Sequence, residues 1–340
     1  MSRATASHHP NCLPAAERTP SHRPKIHGRL ACCLAFVVGL PASGLLPLVL
    51  DGFSAAGENS PSTSRVATVS DAVPGLQPFL KPPGIASRPT AGSLVLSGGG
   101  RIPDAVRDEF LKLAGGEKTR LVVIPTGSES FDDTDERADH RRLWESHRPA
   151  TFDILHTRSR EVANGESFVA PIRQATGVWI AGGRQTLIAA AYTGTRVERE
   201  LHALLERGGV IGGTSAGAAC LSRIMIVRGD VYNVPGFGLL PGTIVDQHFV
   251  KRDRKSRLVA ALAKHPAWLG VGIDENTALV VRGAAVRCVG DSTVSLCLPP
   301  TPVGDSHELV LKPGDTADLN EWRRKAGQHS AMPEAAIPGK

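Results

Sequence analysis

The stretch VIGGTSAGAACL, residues 210–221, ends a short apolar run on two glycines, places Ser215 between small residues and continues as an alanine-rich segment. Within it, Gly213-Thr-Ser-Ala-Gly217 spells G-x-S-x-G. That is the pattern of a nucleophile elbow, a strand-to-helix turn so tight that only small residues fit around the exposed hydroxyl. Ser215 is therefore a candidate nucleophile. The plainer reading is a glycine-rich turn in which Ser215 merely caps the following helix.

Working outward from the elbow, apolar runs alternate with helical patterns from Ser93 onward. SLVLSGGG, RLVVIPTGS, TFDILHT and GVWIAGG read as buried strands. Between them, IPDAVRDEFLKLAGG, DERADHRRLWESH, RQTLIAAAY and VERELHALLERGG carry helical periodicity. Continuous apolar strands separated by helices predict an α/β fold, a mainly parallel sheet with helices on both faces. Beyond the elbow, RIMIVRGD is a strand or edge segment, VPGFGLLPG a loop and TIVDQHF a strand leading into the helical VKRDRKSRLVAALAKHP. WLGVGID, TALVVRG, AAVRCVG and TVSLCLP predict antiparallel C-terminal strands that finish the sheet. In such sheets ligands bind at the carboxyl ends of the strands. Glycine or small polar clusters fall at just those ends: Gly98–Gly100, Thr126–Ser128, Gly182–Gly183 and Ser215. Their convergence on one edge favours the functional reading of Ser215 over the capping one.

The chain has 340 residues, 41% of them hydrophobic, enough for one large domain, and a net charge of +6. The basic excess is uneven. Residues 1–90 hold eight Lys/Arg against four Asp/Glu, which leaves 31 against 29 for the rest. A nearly neutral body without a basic stripe argues against nucleic-acid binding. The leader itself is basic up to Arg29, uncharged and apolar from Leu30 to Leu50, and carries Ser54 and Ala56 at the spacing of a cleavage site. Residues 1–56 thus read as a signal peptide cleaved after Ala56, exporting the body, with a membrane anchor over 30–50 as the alternative. Pro41 and Pro47 weigh against a continuous spanning helix. Residues 57–91 form a disordered Pro/Ser/Ala-rich linker, 92–322 the catalytic domain and 323–340 a flexible tail. Of six cysteines, only Cys220, Cys288 and Cys297 lie in the body, without the spacing of a zinc site or a disulfide framework. Cys288 and Cys297 flank GDST on the two arms of an expected hairpin and could pair there. No phosphate loop or metal-ligand spacing appears, so no cofactor and no metal are expected.

A serine hydroxyl needs a base to take its proton and a third group to hold that base. Most of the eight body histidines lie in polar helical patterns, whereas His248 follows an apolar strand, in IVDQHF, among acid and amide groups. For the orienting acid, Glu275 in GIDENTAL lies between two strands, with Asp274, Asp230 and Asp246 as competitors.

LVLSGGG, VIPTGS, WIAGGRQ, GGTSAGAA, LLPGTIVDQHFVKRDRKSRL and GIDENTAL, in that order over roughly residues 92–290, resemble the cyanophycinase branch of the cyanophycinase and dipeptidase E family of serine peptidases. The resemblance implies Ser215 as nucleophile, His248 as general base and then acid, and Glu275 as the partner of the histidine. Asp230 stays open as an alternative acid, because in the dipeptidase E branch the acid lies between serine and histidine. It further implies oxyanion donors at the amides of Gly183 and Ala216, and substrate contacts from Gln185, Asp246, Gln247, Arg252, Arg254 and Arg257. The implied reaction releases β-aspartyl-arginine dipeptides from cyanophycin, a polyaspartate carrying arginine side groups, and the resemblance also implies a homodimer. An α-carboxylate on a β-linked aspartate calls for a guanidinium fork and an amide, which these residue types supply. Two departures stand out: Arg184 where an acid or amide is usual, and a short segment between Ser215 and His248. They leave a dipeptidase E-like or isoaspartyl peptidase as the alternative within the same chemistry. Outside it stands a non-catalytic protein that binds acidic peptides. An ordinary α/β-hydrolase esterase would need an acid before the final histidine and an HGGG-like loop, and the latter is absent.

Overall fold

The computed structural model describes residues 91–132, 136–227, 232–301 and 307–329. The expected signal peptide or anchor, the linker up to residue 90, Asp230 and the last eleven residues lie outside the described residues. The first half runs β1 (Ser93–Ser97), α1 (Asp104–Leu113), β2 (Arg120–Ile124), α2 (Glu136–Glu145), β3 (Thr151–Ile154), α3 (Arg160–Ala163), α4 (Glu166–Gln174), β4 (Gly177–Ile180), α5 (Gln185–Tyr192), α6 (Arg196–Glu206), β5 (Val210–Thr214) and α7 (Ala216–Ala219). The second half adds β6 (Ser222–Val227), β7 (Tyr232–Pro235), β8 (Leu240–Gln247), α8 (Lys255–Lys264), β9 (Leu269–Ile273), β10 (Thr277–Arg282), β11 (Ala285–Gly290), β12 (Val294–Cys297), β13 (Glu308–Leu311), β14 (Thr316–Asp318) and α9 (Leu319–His329).

The α/β class and the antiparallel C-terminal strands stand as expected, but the strands divide between two mixed sheets. One has eight strands in the order β14-β11-β10-β1-β5-β4-β2-β3. Its β1, β5, β4, β2 and β3 are mutually parallel, while β10, β11 and β14 add antiparallel. The other has six strands in the order β13-β12-β9-β8-β6-β7, parallel only at β6–β8 and β8–β9. After α7 the chain leaves the first sheet, and it returns between β9 and β10. An apolar strand pattern reports burial but not the identity of the neighbour, so nothing in TALVVR or TVSLCLP says which sheet it joins.

Strand alternation decides what lies on each face. In β1, Leu94 and Leu96 enter a core shared with α4, α5 and α6, through residues such as Ile172, Ile188 and Leu201. Val95 faces the opposite way, toward Phe110 of α1 and Trp144 of α2. Phe110, Trp144 and Trp179 pack there as a buried aromatic triplet with centroids 5.1–5.5 Å apart. The second sheet presses Met225, Val245 and Val271 into the first of these cores and closes its other face with Leu258 and Leu262 of α8. The two sheets thus sandwich one core.

Three expectations are corrected. Cys288 and Cys297 are not on two arms of a hairpin: β11 belongs to the first sheet and β12 to the second, and both thiols are free and buried. The tail does not begin at residue 323, because α9 continues to His329 with Ala326 buried on its inner face. The basic segment after His248 is not wholly helical, since Lys251–Asp253 form a turn and α8 starts only at Lys255. Helices α3 and α4 and strands β7, β13 and β14, none of them expected, are short or carry weak patterns.

Candidate active site

Strand β5 delivers Ser215 at the carboxyl edge of the parallel strands, and the turn that follows is as tight as the motif requires. Ser215 has φ 51° and ψ −112°, outside the comfortable regions for an L-residue. Its N–H is tied to the Ser97 carbonyl at 2.9 Å. A methyl group on Gly213 would stand 2.5 Å from the Gly217 carbonyl carbon, and one on Gly217 would strike the backbone of Ile180. The flanking glycines are therefore a packing requirement of the elbow. The capping reading of Ser215 fails, since its side chain makes no cap bond to α7.

The Ser215 hydroxyl points instead at His248, with Oγ 2.8 Å from Nε2. His248 stands just past the end of β8, its own backbone at φ 52°, its N–H donating to the Gly98 carbonyl at 2.8 Å. Its Nδ1 lies 2.6 Å from Glu275 Oε1. An ionised carboxylate only accepts, so Nδ1–H donates to Glu275 and Nε2 is left to accept the serine proton. Glu275 occupies the crossover where the chain returns from β9 to β10. Three of the five described non-glycine residues with positive φ, namely Ser215, His248 and Asn276, fall in this one site.

Burial holds the His248 imidazole below its ordinary pKa of 6.5. The bond to Glu275 opposes that shift, and the charges of Arg252 and Arg254 add to it. The ring is thereby neutral at physiological pH, the form that can take a proton. It rests on the glycine loop after β1: a methyl on Gly99 would lie 2.6 Å from Nε2. The cluster Gly98–Gly100 thus makes room for the histidine and the acid. SGGG gave no sign of that role beyond its place at a strand end.

The segments that carry the expected oxyanion residues lie next to Ser215. Gly182 abuts the serine, such that a methyl there would lie 3.6 Å from Ser215 Cβ, and Gly183 follows with φ 118°. Ala216 opens α7, where an N–H has no carbonyl four residues back inside the helix.

Beside Gly183 opens a cleft of about 540 Å³ whose walls include Gln185, Gln247, Arg254 and Arg257. Gln247 Nε2 donates to Gln185 Oε1 at 3.4 Å, and Gln185 Nε2 to the Ile226 carbonyl at 2.6 Å. Asp246, expected among the substrate contacts, is fully buried, which corrects that expectation. It accepts Arg257 through both oxygens, Nε–H at 2.6 Å and Nη2–H more closely, with Arg254 Nη1 at 3.6 Å. A buried carboxylate is costly unless so paired. Its work is to hold two guanidiniums at the cleft wall. Arg252 is exposed and does not line the cleft; its backbone N–H donates to the His248 carbonyl at 3.0 Å. Arg184 pairs with Glu129 at the mouth.

Asp274, a competitor for the role of acid, faces away from the histidine. It accepts the N–H groups of Val250 and Lys251 at 3.1 and 2.8 Å and the hydroxyl of Ser292 at 2.7 Å, fixing the turn after His248. Burial raises its pKa, but these bonds outweigh burial and leave it below 3.8. Among the described residues no group of three or more His, Cys, Asp or Glu could hold a metal ion.

A serine at a strand-to-helix elbow, in line with a neutral histidine and a carboxylate, is the constellation of the serine hydrolase class. The model of peptidase family S51 matches residues 94–289, more than half of the chain, and the chain belongs to that family. A cyanophycinase of Synechococcus elongatus is 35% identical over 201 residues, 56% of this chain and 62% of the relative. A cyanophycinase of Nostoc sp. is 33% identical over 211 residues, 58% of this chain and 70% of the relative. The match thus spans about 62% of the length of the first of these cyanophycinases. A peptidase from an acI-B1 Actinobacterium, known from its crystal structure, is 25% identical at a TM-score of 0.54, over 67% of this chain and 96% of that one.

Proposed function

We propose that the protein is a serine exopeptidase of the cyanophycinase type, with Ser215 as nucleophile, His248 as base and then acid, and Glu275 as the group that orients the histidine. The observation that carries this reading is the continuous line from Ser215 Oγ through both nitrogens of His248 to Glu275, at 2.8 and 2.6 Å. Ser215 Oγ attacks the scissile carbonyl carbon while its proton passes to Nε2 of His248. The resulting oxyanion accepts hydrogen bonds from the N–H groups of Gly183 and Ala216. Cleavage of the C–N bond releases the amine with the proton held by His248 and leaves an ester on Ser215. Water then attacks the ester carbon, giving its proton to His248, which returns it to the departing serine oxygen.

The relatives named cyanophycinase and the charge of the cleft support cyanophycin as substrate and β-aspartyl-arginine as product. Arg254 and Arg257, backed by Asp246, would take the free α-carboxylate of the β-linked aspartate, and Gln185 and Gln247 its amide and carbonyl groups. The Arg184–Glu129 pair at the mouth favours a second reading, a peptidase of isoaspartyl or other acidic peptides. Export through residues 1–56 belongs to the same proposal, and the N-terminus of the mature protein after Ala56 is its check.

The test incubates the full chain with insoluble cyanophycin and follows soluble product by mass spectrometry, beside Ser215→Ala. Release of β-aspartyl-arginine by the wild type alone is expected. Release by both proteins removes Ser215 from the reaction, and release by neither removes cyanophycin as substrate.

A further inference from the structure

Behind the cleft a second chain of polar groups, outside the line of Ser215, His248 and Glu275, joins the exit of β2 to the end of α5. Thr126 is fully buried, and its Oγ1 lies 2.6 Å from Tyr192 Oη and 3.0 Å from His156 Nδ1. His156 Nε2 lies 2.8 Å from Asp132 Oδ1, and Asp132 Oδ2 accepts Arg158 Nε–H at 3.1 Å. The Thr157 N–H donates to Tyr192 Oη at 3.2 Å. One direction of donation satisfies every member: Thr157 N–H to Tyr192, Tyr192 O–H to Thr126, Thr126 O–H to Nδ1 of a neutral His156, and His156 Nε2–H to Asp132. Arg158 completes the frame by donating to the carbonyls of Thr126 and Ser128 at 2.8 and 2.5 Å.

Between those two carbonyls stands Gly127, whose own carbonyl accepts the Arg184 N–H at 2.7 Å. A methyl on Gly183 would strike Gly127 and lie 2.8 Å from the Ser128 nitrogen, and a methyl on Gly127 would lie 3.2 Å from the Gly182 carbonyl carbon. The turn 126–128 is therefore the back wall of the Gly182–Gly183 turn. Helix α5 starts directly after that turn and is pinned at its far end by Tyr192.

We propose that Thr126, His156 and Asp132 are positioning residues that hold the Gly183 amide in place for the oxyanion, and that the relay works only while His156 is neutral. The proposal rests on the reading of Ser215 as nucleophile and Gly183 as oxyanion donor. A proton on Nδ1 turns His156 from acceptor into donor, so one hydroxyl hydrogen of the buried Thr126–Tyr192 pair is left without an acceptor, whichever way that bond runs. The groups facing His156 are Asp132, Arg158 and Arg137, with the Phe131 ring 4.6 Å away and His140 beyond it. Burial first, then the two arginines, hold its pKa below 6.5 against the pull of Asp132.

The experiment follows the rate at which a fluorophosphonate labels Ser215 in the full chain, because the phosphoryl oxygen of the adduct occupies the oxyanion site. Thr126→Val and His156→Phe are expected to slow the maximal labelling rate about 10- to 100-fold while half-saturation stays within about 2-fold, the mark of misplacement without lost binding. The double variant is expected to be no slower than the slower single one, since both break the same chain. Thr126→Ser keeps the hydroxyl and His156→Asn keeps an acceptor at Nδ1, and both are expected near the wild-type rate at about pH 7.5. On the acid side the wild-type rate is expected to fall with a slope steeper than about 1, and His156→Asn with a slope of about 1. Wild-type rates in folded Thr126→Val and His156→Phe would overturn the proposal. So would equal acid slopes, a readout that survives if the larger substitutions fail to fold. Absence of Ser215 labelling in the folded wild type would instead strike the underlying reading, and is told apart by that control.

Discussion

At the scale of single residues, the site is a set of glycines that make room for Ser215, His248 and Glu275 to meet. Gly99 is the clearest case, because its missing side chain is the space that the His248 ring fills. Gly99→Ala is expected to displace the imidazole and lower kcat/KM at least about 100-fold, and, because Gly99 has a φ of 112° that alanine adopts only under strain, to lower the unfolding free energy by about 1–3 kcal/mol, measured by hydrolysis and by chemical denaturation. Acid should have a comparable effect without mutation. His248 must be neutral to accept the serine proton, and its pKa lies below 6.5. The rate is thus expected to be level above about pH 7 and to fall only once the pH drops below 6.5, as a profile of kcat/KM would record. Ser215 and His248 were legible as candidates because each stands at a strand end with a chemical reason to be there, whereas only the family resemblance set Glu275 apart from Asp274, Asp230 and Asp246. Asp246 was not legible in the same way. Sequence placed it beside the arginines but carried no sign that it is sealed beneath them.

Elements supply the rigidity on which those positions depend. Asp246 on β8 holds Arg257 and Arg254 against the cleft wall, and Asp246→Ala would leave two partly buried cations unpaired. A loss of about 3–5 kcal/mol in unfolding free energy is expected, together with a raised KM, from denaturation and steady-state kinetics. On the other face of the parallel strands, Phe110 of α1 is buried between Trp144 and Trp179. Phe110→Ala is expected to cost about 3–5 kcal/mol in the same denaturation assay, with activity retained wherever the protein is folded. Helix α1 was legible from periodicity, whereas α9 was not, because only Leu319 and Ala326 of its eleven residues are buried. A stripe that narrow gives hardly any pattern to read.

For the molecule as a whole, the arrangement of two sheets around one core explains why motif order reads correctly while sheet membership does not. Ser215 and Glu275 stand where the chain passes between the sheets, after β5 and between β9 and β10, and His248 at the end of β8 joins them in the proposed catalytic line. Each strand's apolar pattern is satisfied in either sheet, and only tertiary packing decides between them. Burial of ionisable groups sets the pH range of the fold. His140, His156, His248 and His265 are all held below 6.5 by burial first. In each case the unfolded chain binds the proton more readily. Their contribution to stability is therefore complete above 6.5 and is lost as the pH falls through the lower folded values. Asp274, held below 3.8, adds a further loss in stronger acid. Thermal melts are expected to show a steady midpoint near neutrality that declines as the pH drops below 6.5.

The central claim is that Ser215, activated by His248 and Glu275, is the nucleophile of this peptidase family S51 member. Its most direct test is to label the full chain with a fluorophosphonate and locate the adduct by peptide mass spectrometry. The account predicts a single adduct on Ser215, absent from Ser215→Ala and formed far more slowly in His248→Gln. An adduct on another residue, or equal labelling of Ser215 in the two chains that keep and lack His248, would contradict it.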